Sequence, residues 1–140
     1  MNITYHMVPK QYFESTDVSI DYKSAAFEKE GFIHCTDGEF MVSSVANTYY
    51  ASIEGEMLIL FIDKDKVTSP IRFDDEKKLF PHIYGGLNRD SVFKISKMIR
   101  DRKGDWIFPI NEAIRCIGMR GELSSGHVLR FDSTELGATF

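Results

Sequence analysis

The chain has 140 residues, 43% of them apolar and 27% charged, with a formal net charge of −4. That length suits one domain burying about two thirds of its unfolded surface. The acidic balance excludes a general nucleic-acid surface, which needs a clustered basic excess. No apolar run approaches the roughly 20 residues of a membrane helix and no charged-then-apolar leader is visible, so no membrane association and a cytoplasmic location are expected.

Eleven Phe and six Tyr point to a β-rich core, because aromatic side chains suit strands. Asn2 to Val8 alternates, with Ile3, Tyr5 and Met7 on one face and Thr4, His6 and Val8 on the other. Pro9 ends this strand and opens a short helix to Ser15. Thr16 to Ala26 reads as loop, and Ser24 to Glu30 as a second short helix that Gly31 terminates in the left-handed conformation. Period-two geometry then puts Phe32, His34 and Thr36 on one face of a strand and Ile33 and Cys35 on the other, buried face.

Thr36-Asp37-Gly38-Glu39 has the spacing of a capping box. The apolar residues Phe40, Val42, Val45, Ala46, Tyr49 and Tyr50 follow at spacings of three and four, predicting a helix of about four turns. Met57 to Ile62 is a continuous apolar run, the pattern of a strand covered on both faces. Asp63 to Val67 suits one helical turn. Ile71 to Asp74 suits a short strand with Arg72 and Asp74 sharing a face.

Phe80-Pro81-His82-Ile83-Tyr84 is extended, because the residue before proline avoids the helical region. His82 and Tyr84 share a face, and Gly85-Gly86 supplies a flexible turn. Asp90 to Ile99 alternates as another strand, Arg100 to Asp105 is a turn, and Trp106 to Pro109 closes the apolar core. The expected domain spans residues 1–110. Residues 111–140 read as an extension, with a hairpin formed by 113–119 and 127–131 before a frayed tail.

Six residues are candidates for function. His34 and His82 are the candidate catalytic groups; His6, Thr36, Arg72 and Tyr84 are candidate ligand contacts. Arg72 suits a phosphate or carboxylate, which a guanidinium grips with two parallel hydrogen bonds. The bland alternatives stay open: a histidine that anchors a loop, a core tyrosine, and an arginine in a surface pair with Asp74 or Glu76. No metal site is expected, because His6, His34, His82 and Cys35 show no local ligand spacing. Cys35 and Cys116 fit no metal or redox spacing; one disulfide is an open alternative, and two reduced thiols are the expectation. Nucleophile-elbow, P-loop and dinucleotide glycine patterns are lacking.

Glu30-Gly31-Phe32-Ile33-His34-Cys35-Thr36, then Val45-Ala46-Asn47, Leu58 to Asp63 and Phe80-Pro81-His82-Ile83-Tyr84-Gly85, resemble the domain of unknown function 952 family from about Ile3 to Pro109. Gly86 stands where that family usually has proline. A more distant resemblance is to the ADP-ribosyltransferase superfamily, especially RNA 2′-phosphotransferases. It is carried by Tyr5-His6, Gly31, Ile33-His34-Cys35-Thr36, the following helix and Phe61-Ile62-Asp63, in that order.

This second resemblance implies an α+β fold of bent, split antiparallel-rich sheets around a cleft for NAD, with His6 and His34 near ribose or phosphate. The basic residues that grip an RNA phosphate in those enzymes are not evident apart from Arg72, and Glu76 is the candidate for their catalytic glutamate. The leading expectation is therefore an ADP-ribosyltransferase-like enzyme binding NAD or an ADP-ribosyl or phosphate compound. The rivals are a non-catalytic module for a nucleotide or sugar, and a structural protein whose histidines only anchor loops.

Overall fold

The structure is a computed structural model and describes residues 1–109. It is an α+β arrangement in which the paired strands run antiparallel. In chain order the strands and helices are β1 (Ile3–Pro9), α1 (Lys10–Ser15), α2 (Phe27–Glu30), β2 (Ile33–His34), α3 (Glu39–Tyr49), β3 (Met57–Asp63), β4 (Ile71–Phe73), β5 (Pro81–Ile83), β6 (Val92–Lys97), β7 (Ile99–Arg100) and β8 (Trp106–Ile107). They form a sheet of order β1-β3-β6, a sheet of order β2-β5-β4 and the hairpin β7-β8.

The apolar run of β3 is continuous because both of its faces are covered. Met57 and Ile59 point into a cluster with Tyr5, Met7, Met41, Val42, Val45, Ala46, Phe80 and Trp106. Leu58, Leu60 and Ile62 point the other way, into a cluster with Val8, Tyr22, Ile33, Cys35, Ile83 and Leu87. Each such side chain taken out of water contributes roughly 1.5–3 kcal/mol. α3 and the β7-β8 hairpin contribute to the first cluster. The β2-β5-β4 sheet lays its apolar face on the second, which turns its other face outward.

Beyond this packing, a backbone bridge between Tyr5 and Thr36 joins the two larger sheets. The Tyr5 N–H donates to the Thr36 carbonyl at 2.9 Å, and the Thr36 N–H returns to the Tyr5 carbonyl at 2.8 Å. On its other edge the same segment stays with the chain around β5: the Cys35 N–H reaches Pro81 O and the Asp37 N–H reaches Leu79 O. The split antiparallel arrangement is thus stitched together by residues 35–37.

Several local expectations change. The capping box does not form: Gly38 is the N-cap of α3, with φ of 85°, and no side chain caps the helix. Thr36 is only 1% exposed and belongs to the junction with β1, which removes its hydroxyl from the helix end. α3 spans 11 residues. It buries Met41, Val42, Ser44, Val45 and Ala46, while Phe40 and Tyr49 face outward, so its buried stripe is rotated from the expected one.

The strand expected over 90–99 starts as a 3-10 turn at Arg89–Ser91, and its end belongs to β7. Gly85-Gly86 is a packing point rather than a free turn. A Cβ on Gly85 would lie 2.5 Å from Ser69 Oγ, and one on Gly86 would lie 2.8 Å from Asp21 Cβ. The expected hairpin over 113–131 and any pairing of Cys116 fall outside the described residues; Cys35 is a buried free thiol.

Candidate functional site

The β2-β5-β4 sheet has one apolar and one polar face, and its register aligns them row by row. Ile33, Ile83 and Ile71 form one row and pack on the second core cluster. The next row is His34, His82 and Arg72, directly opposite one another across the three strands. Phe32, Tyr84 and Asp74 are displaced from them by two residues along the chain and lie on the same outward face.

Two histidine–carboxylate pairs stand side by side there. His82 Nδ1 lies 2.8 Å from Asp74 Oδ2, and the Tyr84 hydroxyl donates to the same oxygen at 2.6 Å. A carboxylate only accepts, so His82 carries its proton on Nδ1 when neutral, which leaves Nε2 as an acceptor. His34 Nε2 lies 2.9 Å from Glu30 Oε1. The two imidazole rings are 5.1 Å apart and nearly perpendicular. Phe32 stacks on His82 at 4.0 Å, and the Arg72 guanidinium lies 4.8 Å over the Tyr84 ring and 3.6 Å from Asp74 Oδ1.

These contacts set the protonation of the site. The Tyr84 hydroxyl, and after it His82, hold the Asp74 carboxyl below the usual carboxylate range. The bond to Asp74 in turn pushes the Tyr84 phenol up. Burial lowers the His34 imidazole, with Glu30 opposing and His82 reinforcing the effect, which favours its neutral form.

Four of the six residues singled out from the sequence converge here: His34, His82, Arg72 and Tyr84. His6 and Thr36 do not join them. His6 is 4% exposed and lies beneath β2. Its Nδ1–H donates to the His34 carbonyl at 2.6 Å, and its Nε2 accepts from the Tyr22 hydroxyl at 2.8 Å. Burial pushes its imidazole down to about 4. Thr36 accepts at its carbonyl from the Thr4 hydroxyl, and its own hydroxyl has no partner among the described residues.

Glu76 lies exposed, outside the face, in the segment between β4 and β5. The carboxylates that reach the histidines are Glu30 and Asp74. Asp74 was visible as the face-mate of Arg72. Glu30 stands four residues before His34, a spacing that makes neighbours within one helix. Here the two are separated by the helix end at Gly31, so the contact depends on the turn.

Among the described residues no group of three or more His, Cys, Asp or Glu side chains is placed to hold a metal. None of the described helices is long and apolar enough to cross a membrane. A surface cleft of about 660 Å³ opens between Tyr12, Asp17, Lys23, Gly86 and Arg89. None of the histidine-face side chains lines it. The chemistry-bearing groups and this concavity are therefore in different places, and the donor–acceptor pattern singles out the former.

Residues 7–95 match the family model described as "Protein of unknown function (DUF952)". The chain belongs to this family. The matched segment contains β2, β4 and β5 together with Glu30, Phe32, Asp74 and Tyr84, so the whole polar face lies inside the DUF952 region. The crystal structure of protein CC0527 from Caulobacter crescentus is similar, with a TM-score of 0.64 at 18% identity, covering 74% of this chain and 92% of that one. A double-mutant form of CC0527 gives 0.63 at the same identity and coverage. These likenesses concern the fold. A search of the curated proteins finds no match.

Proposed function

We propose that the outward face of the β2-β5-β4 sheet is a small-molecule site at which His34 and His82 work as an acid–base pair on a nucleotide-like ligand. NAD or an ADP-ribosyl compound is the first candidate. The observation that carries this reading is the register pair itself: two imidazoles 5.1 Å apart, each tied to its own carboxylate. A carboxylate behind an imidazole fixes its tautomer and orientation and stabilises the imidazolium once formed. A positioned acid or base of this kind contributes typically 10²–10⁴-fold to a rate.

Arg72 is the cation of the face and is 65% exposed at its side chain, able to take a phosphate. The choice of an ADP-ribosyl ligand comes from the ordered likeness through Tyr5-His6, Gly31 and Ile33 to Thr36. In that chemistry the face would stabilise charge on a departing nicotinamide or phosphate. A second reading, binding without turnover, is favoured by one observation: the His82 side chain is only 5% exposed.

The test is a thermal-shift titration of wild type, His34→Ala and His82→Ala with NAD, ADP-ribose and nicotinamide. A ligand that binds only the folded state raises stability by about 2.7 kcal/mol at a hundredfold excess over Kd. We expect a dose-dependent shift in wild type that both variants lose while remaining folded. Nicotinamide release from NAD then separates turnover from binding alone. Millimolar ligand without any shift removes the NAD assignment.

A further inference from the structure

Phe32 lies flat on His82, with ring centres 4.0 Å apart and planes 11° apart. Beneath it, His82 Nε2 is buried and has no hydrogen-bond partner among the described residues, while Nδ1 is held by Asp74. The nitrogen that the Asp74 contact leaves as an acceptor is therefore closed off. A buried acceptor without a donor is unfavourable, and anything that brings a donor to it is favoured.

What covers the site is not part of the core. Phe32 belongs to neither core cluster, and its ring partners are His34, His82 and Tyr84, all on the outward face. It is half-buried and follows Gly31, which has a left-handed φ of 83° and open space where a Cβ would stand. Moving the Phe32 ring uncovers His82 without opening a cavity in either cluster. Displacing it also leaves a flat vacancy against an imidazole, bordered by the Tyr84 ring and the Arg72 guanidinium.

We propose that Phe32 is a displaceable cover on His82. The ligand takes its place in the stack with a planar aromatic heterocycle, pyridine- or purine-like, and a donor on a substituent bent out of the stack reaches Nε2 in the imidazole plane. This rests on the reading of the face as a small-molecule site and names the ligand's chemical class. Stacked rings favour offset planar partners, and the guanidinium at the rim adds attraction to a π-face.

The test has two arms. In the first, carbethoxylation of His82 by diethyl pyrocarbonate is followed by peptide mass spectrometry in wild type, Phe32→Ala and Phe32→Leu. Thermal melting checks folding, and the buried His6 serves as an internal control. We expect His82 to react at least tenfold faster in Phe32→Ala and at an intermediate rate in Phe32→Leu, with His6 unchanged. Equal His82 rates in wild type and a folded variant would overturn the cover.

In the second arm, adenosine and nicotinamide are compared with ribose 5-phosphate. The aromatic probes should bind Phe32→Ala at least threefold more tightly than wild type and protect His82 from the reagent, whereas ribose 5-phosphate should not discriminate. Equal or absent binding of both aromatic probes overturns the stacking assignment. If the reactivity pattern and aromatic binding appear but NAD and ADP-ribose give no thermal shift, the proposed acid–base function with those ligands fails and the cover stands.

Discussion

His6 and His34 are joined by a single hydrogen bond but sit in different surroundings. His6 is enclosed, with a carbonyl on one nitrogen and a hydroxyl on the other. Its neutral form satisfies both contacts, and protonation would set a second N–H against the Tyr22 hydroxyl in an enclosed site. Its folded-state pKa of about 4 lies below the ordinary 6.5. At pH values between the two, the unfolded chain binds the proton and the folded chain does not. Stability should therefore be greatest above pH 6.5, fall as the pH drops toward 4, and level off below that. A gap of this size is worth about 3 kcal/mol. Urea unfolding of wild type and His6→Gln across pH 4.5–7.5 measures it. The variant should be less stable at pH 7.5 but show a flatter slope, and parallel slopes would exclude His6 as the source.

At the scale of elements, two glycines have different tasks. Gly31 ends α2 in the left-handed region, with open space where an alanine methyl would sit, so Gly31→Ala should cost only the backbone term, about 1 kcal/mol. Gly85 also has positive φ, and there an added Cβ would meet Ser69 Oγ at 2.5 Å. Gly85→Ala should therefore cost more, roughly 2–3 kcal/mol. Urea midpoints of the two variants decide this order, and equal costs would mean that the Ser69 segment yields freely. Gly31 was readable as a helix stop because its role is local. The packing role of Gly85-Gly86 was not, because Ser69 and Asp21 are distant in sequence. The Thr36 capping box failed for the same reason: its spacing was right, but pairing with Tyr5 across the junction claimed the residue first.

Across the whole molecule, β3 is shared by both core clusters, which makes their stabilities inseparable. Ile59 and Leu60 are fully buried neighbours that point into opposite clusters. Ile59→Ala and Leu60→Ala should each destabilise by about 2–5 kcal/mol. Each should also leave one cooperative transition, with Trp106 fluorescence and far-UV circular dichroism coinciding. Separate transitions in either variant would show that the clusters unfold independently.

Alternation alone determined much of the polar face. The period of two put Phe32 with His34, Arg72 with Asp74, and His82 with Tyr84 on common faces, and the continuous run from Met57 to Ile62 marked the central strand. Those pairings survive because they are properties of one strand at a time. Only the tertiary structure decided that β2 and β4 flank β5 in a register that sets His34, His82 and Arg72 in one row. The same register brings Asp74 to His82, while the turn at Gly31 brings Glu30 to His34 and the sheet junction draws His6 and Thr36 inward. Strand register and sheet stacking are settled by which apolar rows can be buried together, here Ile33, Ile83 and Ile71 against the underside of β3, and that choice is made between segments far apart in the chain.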